Sequence, residues 1–172
     1  MSAHESPPSL EFVFQASILP LEGGTINHCL PLPDHVGEAY RAAGVRRVIA
    51  TLNGHACRRA IMNRADGSRM LVLGLPLLKD IGAVSGDTVS VYIEPDPDPD
   101  FVEICEEFVE VLEQDDAAAA RFYSMTRGMQ RSLALYVNTA KRSETRIKRA
   151  LELALKLRSN TLHGDTQKNR EK

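Results

Sequence analysis

The chain has no tryptophan, and aromatic residues make up only 5% of it. This scarcity disfavours proteins that bind single-stranded nucleic acid by stacking bases on aromatic side chains. Cysteine is also scarce: Cys29, Cys57 and Cys105 are far apart and form no C-x-x-C pair. An odd number of widely spaced cysteines fits a reducing compartment better than a disulfide framework.

Targeting and membrane signals are missing from the pattern as well. The segment 1–9 has no basic stretch followed by an apolar one, so it does not read as a signal peptide. No apolar run approaches the ~20 residues that a membrane-spanning helix needs. We therefore predict a cytoplasmic protein with no membrane insertion.

Motifs for catalysis and cofactor binding are absent too. The chain lacks a G-x-S-x-G nucleophile motif, a G-x-G-x-x-G motif and a P-loop. His28 lies beside Cys29 and His55 lies near Cys57, but no second close pair completes a zinc site. We predict no metal and no cofactor, and the sequence leaves enzymatic activity open while favouring its absence.

Charge, by contrast, is strongly segregated along the chain. Residues 1–93 carry eight basic and eight acidic side chains, residues 94–116 carry eleven acidic and no basic ones, and residues 117–172 carry thirteen basic and four acidic ones. The basic segment either neutralises the acidic one or meets an anionic partner, and the first alternative is favoured.

Alternating apolar residues predict strands over most of 10–94. Phe12, Phe14 and Ala16 alternate with Glu11, Val13, Gln15 and Ser17, and Asn53-Gly54 between two further runs predicts a type I′ hairpin. A second hairpin is expected at 65–68, and Asp34 is the expected N-cap of a short helix that precedes both hairpins. About six short strands at this spacing predict a small closed antiparallel barrel, with a sandwich as the alternative.

The alternating Pro and Asp residues of 95–100 favour an extended, solvated spacer, and beyond them the apolar period becomes helical. Asp115 or Asp116, Thr126 and Ser143 are the predicted N-caps of successive helices. The fold class is therefore β-barrel plus α (α+β). We predict four segments: a barrel domain at 10–94, a linker at 95–100, a helical module at 101–160 and a flexible tail at 161–172.

Several segments resemble a known bacterial family. "LPLPDHV", "ATLNGHACRRAIM" and "GDTVSVYIEPD" are similar to a barrel domain of unknown function. "LEQDDAAAARFYSMTRGMQRSLALYVNTAKRSETRIKRALE" resembles the YdeI-like, OmpD-associated (bacteriocin-protection) module, and "AKRSETRIKR" is its most specific part. The resemblance implies a six-stranded barrel plus helices and a link to antimicrobial-peptide resistance and envelope stress, with no assigned reaction.

Basic residues are the best candidates for a binding site. Arginines at spacings of four and three share one helix face, where guanidinium groups suit phosphate or carboxylate. The candidate anion- or ligand-binding residues are Arg58, Arg59, Lys141, Arg142, Thr145, Arg146 and Arg149. The alternative is that these arginines pair with the acids Glu106, Glu107 and Glu110.

Three functions remain open at this stage. The first is a non-enzymatic binding or regulatory protein that takes a small anionic ligand or peptide between barrel and helices. The second is nucleic-acid binding by the basic helices, which would weaken steeply with salt. The third is an enzyme of unassigned chemistry. The sequence does not decide between a monomer and a homo-oligomer.

Overall fold

The computed structural model describes residues 9–21 and 27–165. The chain divides into two units, Met1–Pro99 and Asp100–Lys172, and each is described by itself. The pair Gly23-Gly24 predicts a turn between the first two strands, and it lies outside the described residues. Among the residues described, no helix is both long and apolar enough to cross a bilayer.

The first unit contains an antiparallel sheet of seven strand segments in the order β1-β7-β4-β5-β6-β3-β2. The segments are β1 (Phe12–Ser17), β2 (Leu19–Pro20), β3 (Asn27–Pro31), β4 (Arg47–Leu52), β5 (His55–Asn63), β6 (Arg69–Gly74) and β7 (Thr88–Pro95).

The two edge segments of this sheet are one strand with a bend. Only the fully buried Ile18 separates β1 from β2. β1 pairs with β7 and β2 pairs with β3, so the bent strand joins both edges and the sheet is nearly closed. The prediction of a small antiparallel barrel of about six strands followed by helices is confirmed, and the bend accounts for the seventh segment.

Both predicted hairpins are present. Asn53 and Gly54 have φ angles of 47° and 84°, the two positive values that a type I′ turn needs. The second hairpin is closed by a hydrogen bond from the Arg64 amide to the Ser68 carbonyl, with Gly67 at φ 84°. A left-handed glycine at the end of a three-residue loop is the usual solution there.

Two short helices close the core of the barrel. α1 (Asp34–Ala42) follows β3 and α2 (Leu75–Asp80) follows β6. Because the start of β3 pairs with the end of β6, these helices lie at opposite ends of the sheet. Tyr40 of α1 is fully buried in the same core cluster and donates its hydroxyl to the Leu10 carbonyl. The prediction that Asp34 is the N-cap is wrong: the N-cap is Pro33, whose fixed φ suits the entry to a helix.

The first part of the Pro-Asp repeat is tied to the barrel. β7 continues through Pro95, and the side chain of Asp96 is completely buried. The prediction of a solvated spacer is therefore wrong at Asp96, because its carboxylate binds the guanidinium of Arg58. Residues 97–100 are exposed as expected.

The second unit is helical. It consists of α3 (Glu106–Glu113), α4 (Asp116–Ser124), α5 (Arg127–Asn138) and α6 (Ser143–Ser159). Its separate apolar core centres on Phe108 and Phe122, whose rings meet edge to face with centroids 5.2 Å apart.

Side-chain caps begin two of these helices. The predicted caps Asp115 and Thr126 accept hydrogen bonds from the amides of Ala118 and Met129. The predicted cap Ser143 is wrong: it is the first helical residue, and its hydroxyl donates to Glu107 instead.

Candidate functional site

The two arginines predicted as site residues in the barrel have different surroundings. Nη1 of Arg58 donates to both carboxylate oxygens of Asp96, at 2.7 and 3.0 Å, and to the Asp98 carbonyl at 3.0 Å. Arg59 donates to the carbonyl of Arg58 at 2.8 Å. Arg58 therefore holds residues 96–98, which follow β7, beside β5, and this is a structural role.

The five predicted site residues of the second unit differ in how exposed they are. Lys141 and Arg142 are exposed at the turn before α6, and within the described residues no carboxylate lies within 4 Å of either. Thr145 and Arg146, in the first turn of α6, and Arg149 are half-buried. The structure thus brings Arg146 and Arg149 into the helical packing and leaves Lys141 and Arg142 in solvent.

Arg146 pairs with Glu107, one of the three acids that the sequence analysis gave as alternative partners. Its Nε and Nη2 donate to Oε1 of Glu107 at 2.9 and 2.7 Å. Its Nη1 donates to the carbonyls of Ala140 and Lys141 just beyond α5. The hydrogen bonds from Arg146, with a further one from Ser143, lower the pKa of Glu107 to about 2.

This pair predicts a specific acid sensitivity of the helical unit. A carboxylate whose pKa is lowered by folding stabilises the folded state above its unfolded pKa, near 4.5, and the contribution is lost as the pH falls toward 2. We expect Glu107→Gln to reduce the loss of helix between pH 4.5 and 2, measured by circular dichroism at a fixed urea concentration. Glu110→Gln, which removes an exposed acid of the same helix, is the control and should leave the acid transition of the parent unchanged. Equal transitions for both variants would contradict the assignment.

Arg149 binds the end of α5. Its Nη1 donates to the Tyr136 carbonyl at 2.7 Å and to the Thr139 hydroxyl at 3.3 Å, and its guanidinium carbon lies 4.8 Å from the centre of the Tyr136 ring. Cations at a helix C-terminus satisfy its last carbonyls and complement its dipole. The arginine face of α6 is therefore largely engaged in holding α5 and α3.

A second ion pair fixes the direction of α3 against α6. Glu107 at the start of α3 pairs with Arg146 near the start of α6, and Asp115 just after α3 lies 3.2 Å from Arg158 near the end of α6. The two helices therefore run in the same direction. Asp115 uses its other oxygen, Oδ1, to cap α4, so one carboxylate serves both contacts.

Between these two parallel helices lies a groove of about 240 Å³, whose polar lining is Gln114, Asp115 and Arg158. Leu151 and Leu155 line it from α6 and continue a row of exposed side chains at every fourth position: Ile147, Leu151 and Leu155 are 42%, 56% and 56% exposed. Val111 of α3 and Ala154 of α6 complete its apolar lining. We call this surface the α3–α6 groove.

α3 also carries a row of exposed acidic side chains that are not part of the groove lining. Glu106, Glu110 and Glu113 recur at spacings of four and three, so they share one helix face, and all three are exposed. In the part of the chain described, none of them lies within 4 Å of a basic group, in contrast to Glu107. The helix that supplies one wall of the groove thus also presents a row of available negative charges.

Sequence reasoning missed this groove. The apolar periodicity of the last helix groups Ile147, Leu151 and Leu155 with Ala150 and Ala154, but only the alanines, Leu153 and Leu157 are buried. The signal was present, because α6 carries apolar residues on more than one face.

The cysteines and histidines do not form a metal centre in residues 9–21 and 27–165, where no cluster of three or more metal-ligating side chains occurs. Cys57 donates its thiol to the Ala50 carbonyl, and burial raises its pKa. A thiol in that state is a poor nucleophile.

The fold and the sites described define a two-part protein: a nearly closed antiparallel barrel and a helical unit with a groove between α3 and α6. Residues 14–93 match the family model described as a domain of unknown function (DUF1905). Residues 102–160 match the model described as "Bacteriocin-protection, YdeI or OmpD-Associated" (OmdA). The chain therefore contains a YdeI-like, OmpD-associated module that follows a DUF1905 domain. No curated protein matches the chain.

Proposed function

We propose that this chain is a non-enzymatic binding protein that contributes to protection against antimicrobial peptides, and that its α3–α6 groove binds such a peptide as an amphipathic helix. Two observations support the proposal. The family description names bacteriocin protection, and the two helices that line the groove carry an exposed apolar row on α6 and unpaired acids on α3.

The apolar row has the size and spacing that a helical ligand requires. An exposed row of three large aliphatic side chains is unusual on a soluble surface and marks an interaction site. Ile147 and Leu155 are eight residues apart, which corresponds to about 12 Å along the helix axis. That length accommodates two turns of a partner helix, whose anchors at i, i+3 or i+4, and i+7 would enter the groove.

The charge of the groove determines which peptide it prefers. Glu106, Glu110 and Glu113 present carboxylates on α3, and Arg158, the basic residue that lines the groove, is paired with Asp115. Complementary charge selects partners and speeds association more than it strengthens binding. The expected ligand is therefore a cationic amphipathic helix, with its basic residues beside the acids.

The direct test measures binding of a fluorescent 14-residue amphipathic peptide of lysine and leucine by anisotropy. Leu151→Glu places a charge in the centre of the apolar row, and we expect at least tenfold weaker binding, about 1.4 kcal/mol or more. Because Leu151 is already 56% exposed, the helical unit should stay folded. Leu135→Glu is the matched control: Leu135 is 61% exposed on α5 and does not line the groove.

A second arm tests the acids. Replacing Glu106, Glu110 and Glu113 together by glutamine should weaken binding and flatten its dependence on salt, because exposed charges are screened. A glutamate–leucine peptide with the same apolar face should not bind the parent protein. The proposal is wrong if the parent protein does not bind the cationic peptide, or if the Leu151→Glu and Leu135→Glu variants bind it with equal affinity.

A further inference from the structure

A second hollow, of about 360 Å³, opens between α5, α6 and the turn after α6. Its apolar lining comes from Met129 and Leu133 of α5, Leu153 of α6 and Leu162 beyond it. Leu153 and Leu162 are 5% and 8% exposed, so the floor of the hollow belongs to the packed core. Met129 at its rim is 47% exposed. Its size is within the range of pockets that hold small molecules.

Polar groups meet at one edge of this hollow. The Glu152 carboxylate accepts a hydrogen bond from Lys156 Nζ at 2.6 Å through Oε1 and one from the Tyr136 hydroxyl at 3.4 Å through Oε2. The Lys156 ammonium lowers the pKa of Glu152, so this carboxylate is charged at neutral pH. The Lys156 ammonium has three N–H donors, and Glu152 accepts a hydrogen bond from one of them. The Lys156 side chain is 43% exposed.

The charge along this edge is positive. Lys148, Arg149 and Lys156 of α6 surround the single acid Glu152, and Arg149 lies over the Tyr136 ring. Arg149 makes its hydrogen bonds to Tyr136 and Thr139 through Nη1 alone, which fixes the guanidinium beside the ring. Lys156 and Glu152 line the hollow, and Lys148 and Arg149 lie within one helical turn of Glu152 just outside it.

We propose that this hollow is a binding site for a small organic anion with an apolar body, such as a fatty or aromatic carboxylate. The apolar body contacts Leu133, Leu153 and Leu162, and the ligand carboxylate accepts hydrogen bonds from the two N–H groups of Lys156 that Glu152 does not use. Charge complementarity selects an anion, because an apolar hollow alone would take a neutral molecule equally well. The site uses other residues than the α3–α6 groove and does not depend on the proposed function.

The test titrates octanoate and decanoate into the full-length protein by calorimetry, below the concentrations at which they form micelles, with decanol as the neutral match. Decanoate should bind at least tenfold more tightly than decanol and more tightly than octanoate, because longer chains bury more apolar surface. Lys156→Gln should weaken decanoate about tenfold and leave decanol unchanged.

A blocking variant tests the location. Gly164 lines the hollow, and a Cβ built there meets no atom within 4 Å. Gly164→Trp should therefore fill the hollow without disturbing its neighbours and abolish binding of both ligands. Leu151→Glu, which is designed to block the α3–α6 groove, should leave decanoate binding unchanged. The result for this hollow is therefore independent of the result for the α3–α6 groove. Equal affinity for decanoate and decanol, or parent-like decanoate binding by both Lys156→Gln and Gly164→Trp, would overturn the site.

Discussion

Phe108→Ala should destabilise the helical unit by about 3–5 kcal/mol, the usual cost of truncating a buried phenylalanine. The Phe108 ring is completely buried, and it meets Phe122 edge to face in the centre of a core that comes only from this unit. A unit spanning 100–172 has a total stability of about 4–11 kcal/mol, at roughly 0.05–0.15 kcal/mol per residue. The substitution therefore removes a large part of what keeps these helices folded.

Urea unfolding followed by circular dichroism at 222 nm measures this effect, and amide exchange shows which helices lose protection. Leu135→Ala is the control: it also deletes a large aliphatic side chain from a helix of this unit, but Leu135 is 61% exposed. It should change stability by less than about 0.5 kcal/mol, as surface substitutions usually do. A similar loss for both variants would mean that the core lies elsewhere.

Asp96→Ala should destabilise the barrel by about 2–3 kcal/mol. Removing one member of a buried pair strands the other charge, at a cost of about 3–5 kcal/mol when both are buried, and here the Arg58 side chain is 35% exposed and regains some solvent. The substitution also takes away the acceptor of the Asp98 amide, which lies 2.9 Å from Asp96 Oδ1.

Asp98→Ala is the matched control, since it removes the same side chain two positions along the same repeat. Asp98 is exposed, and its hydrogen bonds to Arg58 and Asp96 are made by its main chain. Chemical unfolding should show little change for Asp98→Ala and a clear loss for Asp96→Ala. If the two variants are equally stable, the buried carboxylate does not anchor the strand.

Local signals in the sequence were enough to predict much of this fold. Asn53-Gly54 specifies its hairpin because both residues must adopt positive φ, and no distant contact is needed to decide this. The caps Asp115 and Thr126 are equally local, since each bonds an amide three residues further on. The change from alternating to helical periodicity similarly reflects the backbone geometry of each unit.

Features that depend on distant partners were not predictable in this way. Asp96 looks like one more solvated residue of a repeat until β5 brings Arg58 beside it. Ser143 has the right type and position for a cap, but the neighbouring carboxylate of Glu107 takes its hydroxyl. The sequence of α6 has apolar residues on several faces, and periodicity does not indicate which face the other helices cover. For this reason the α3–α6 groove was not predicted.

The double use of Asp115 links events that are usually separate in a helical bundle. Because one carboxylate contacts both the first turn of α4 and the last turns of α6, a substitution at Asp115 removes both contacts at once. The end of the α3–α6 groove where Leu155 and Arg158 lie therefore shares a residue with the start of α4, a helix that does not itself line the groove.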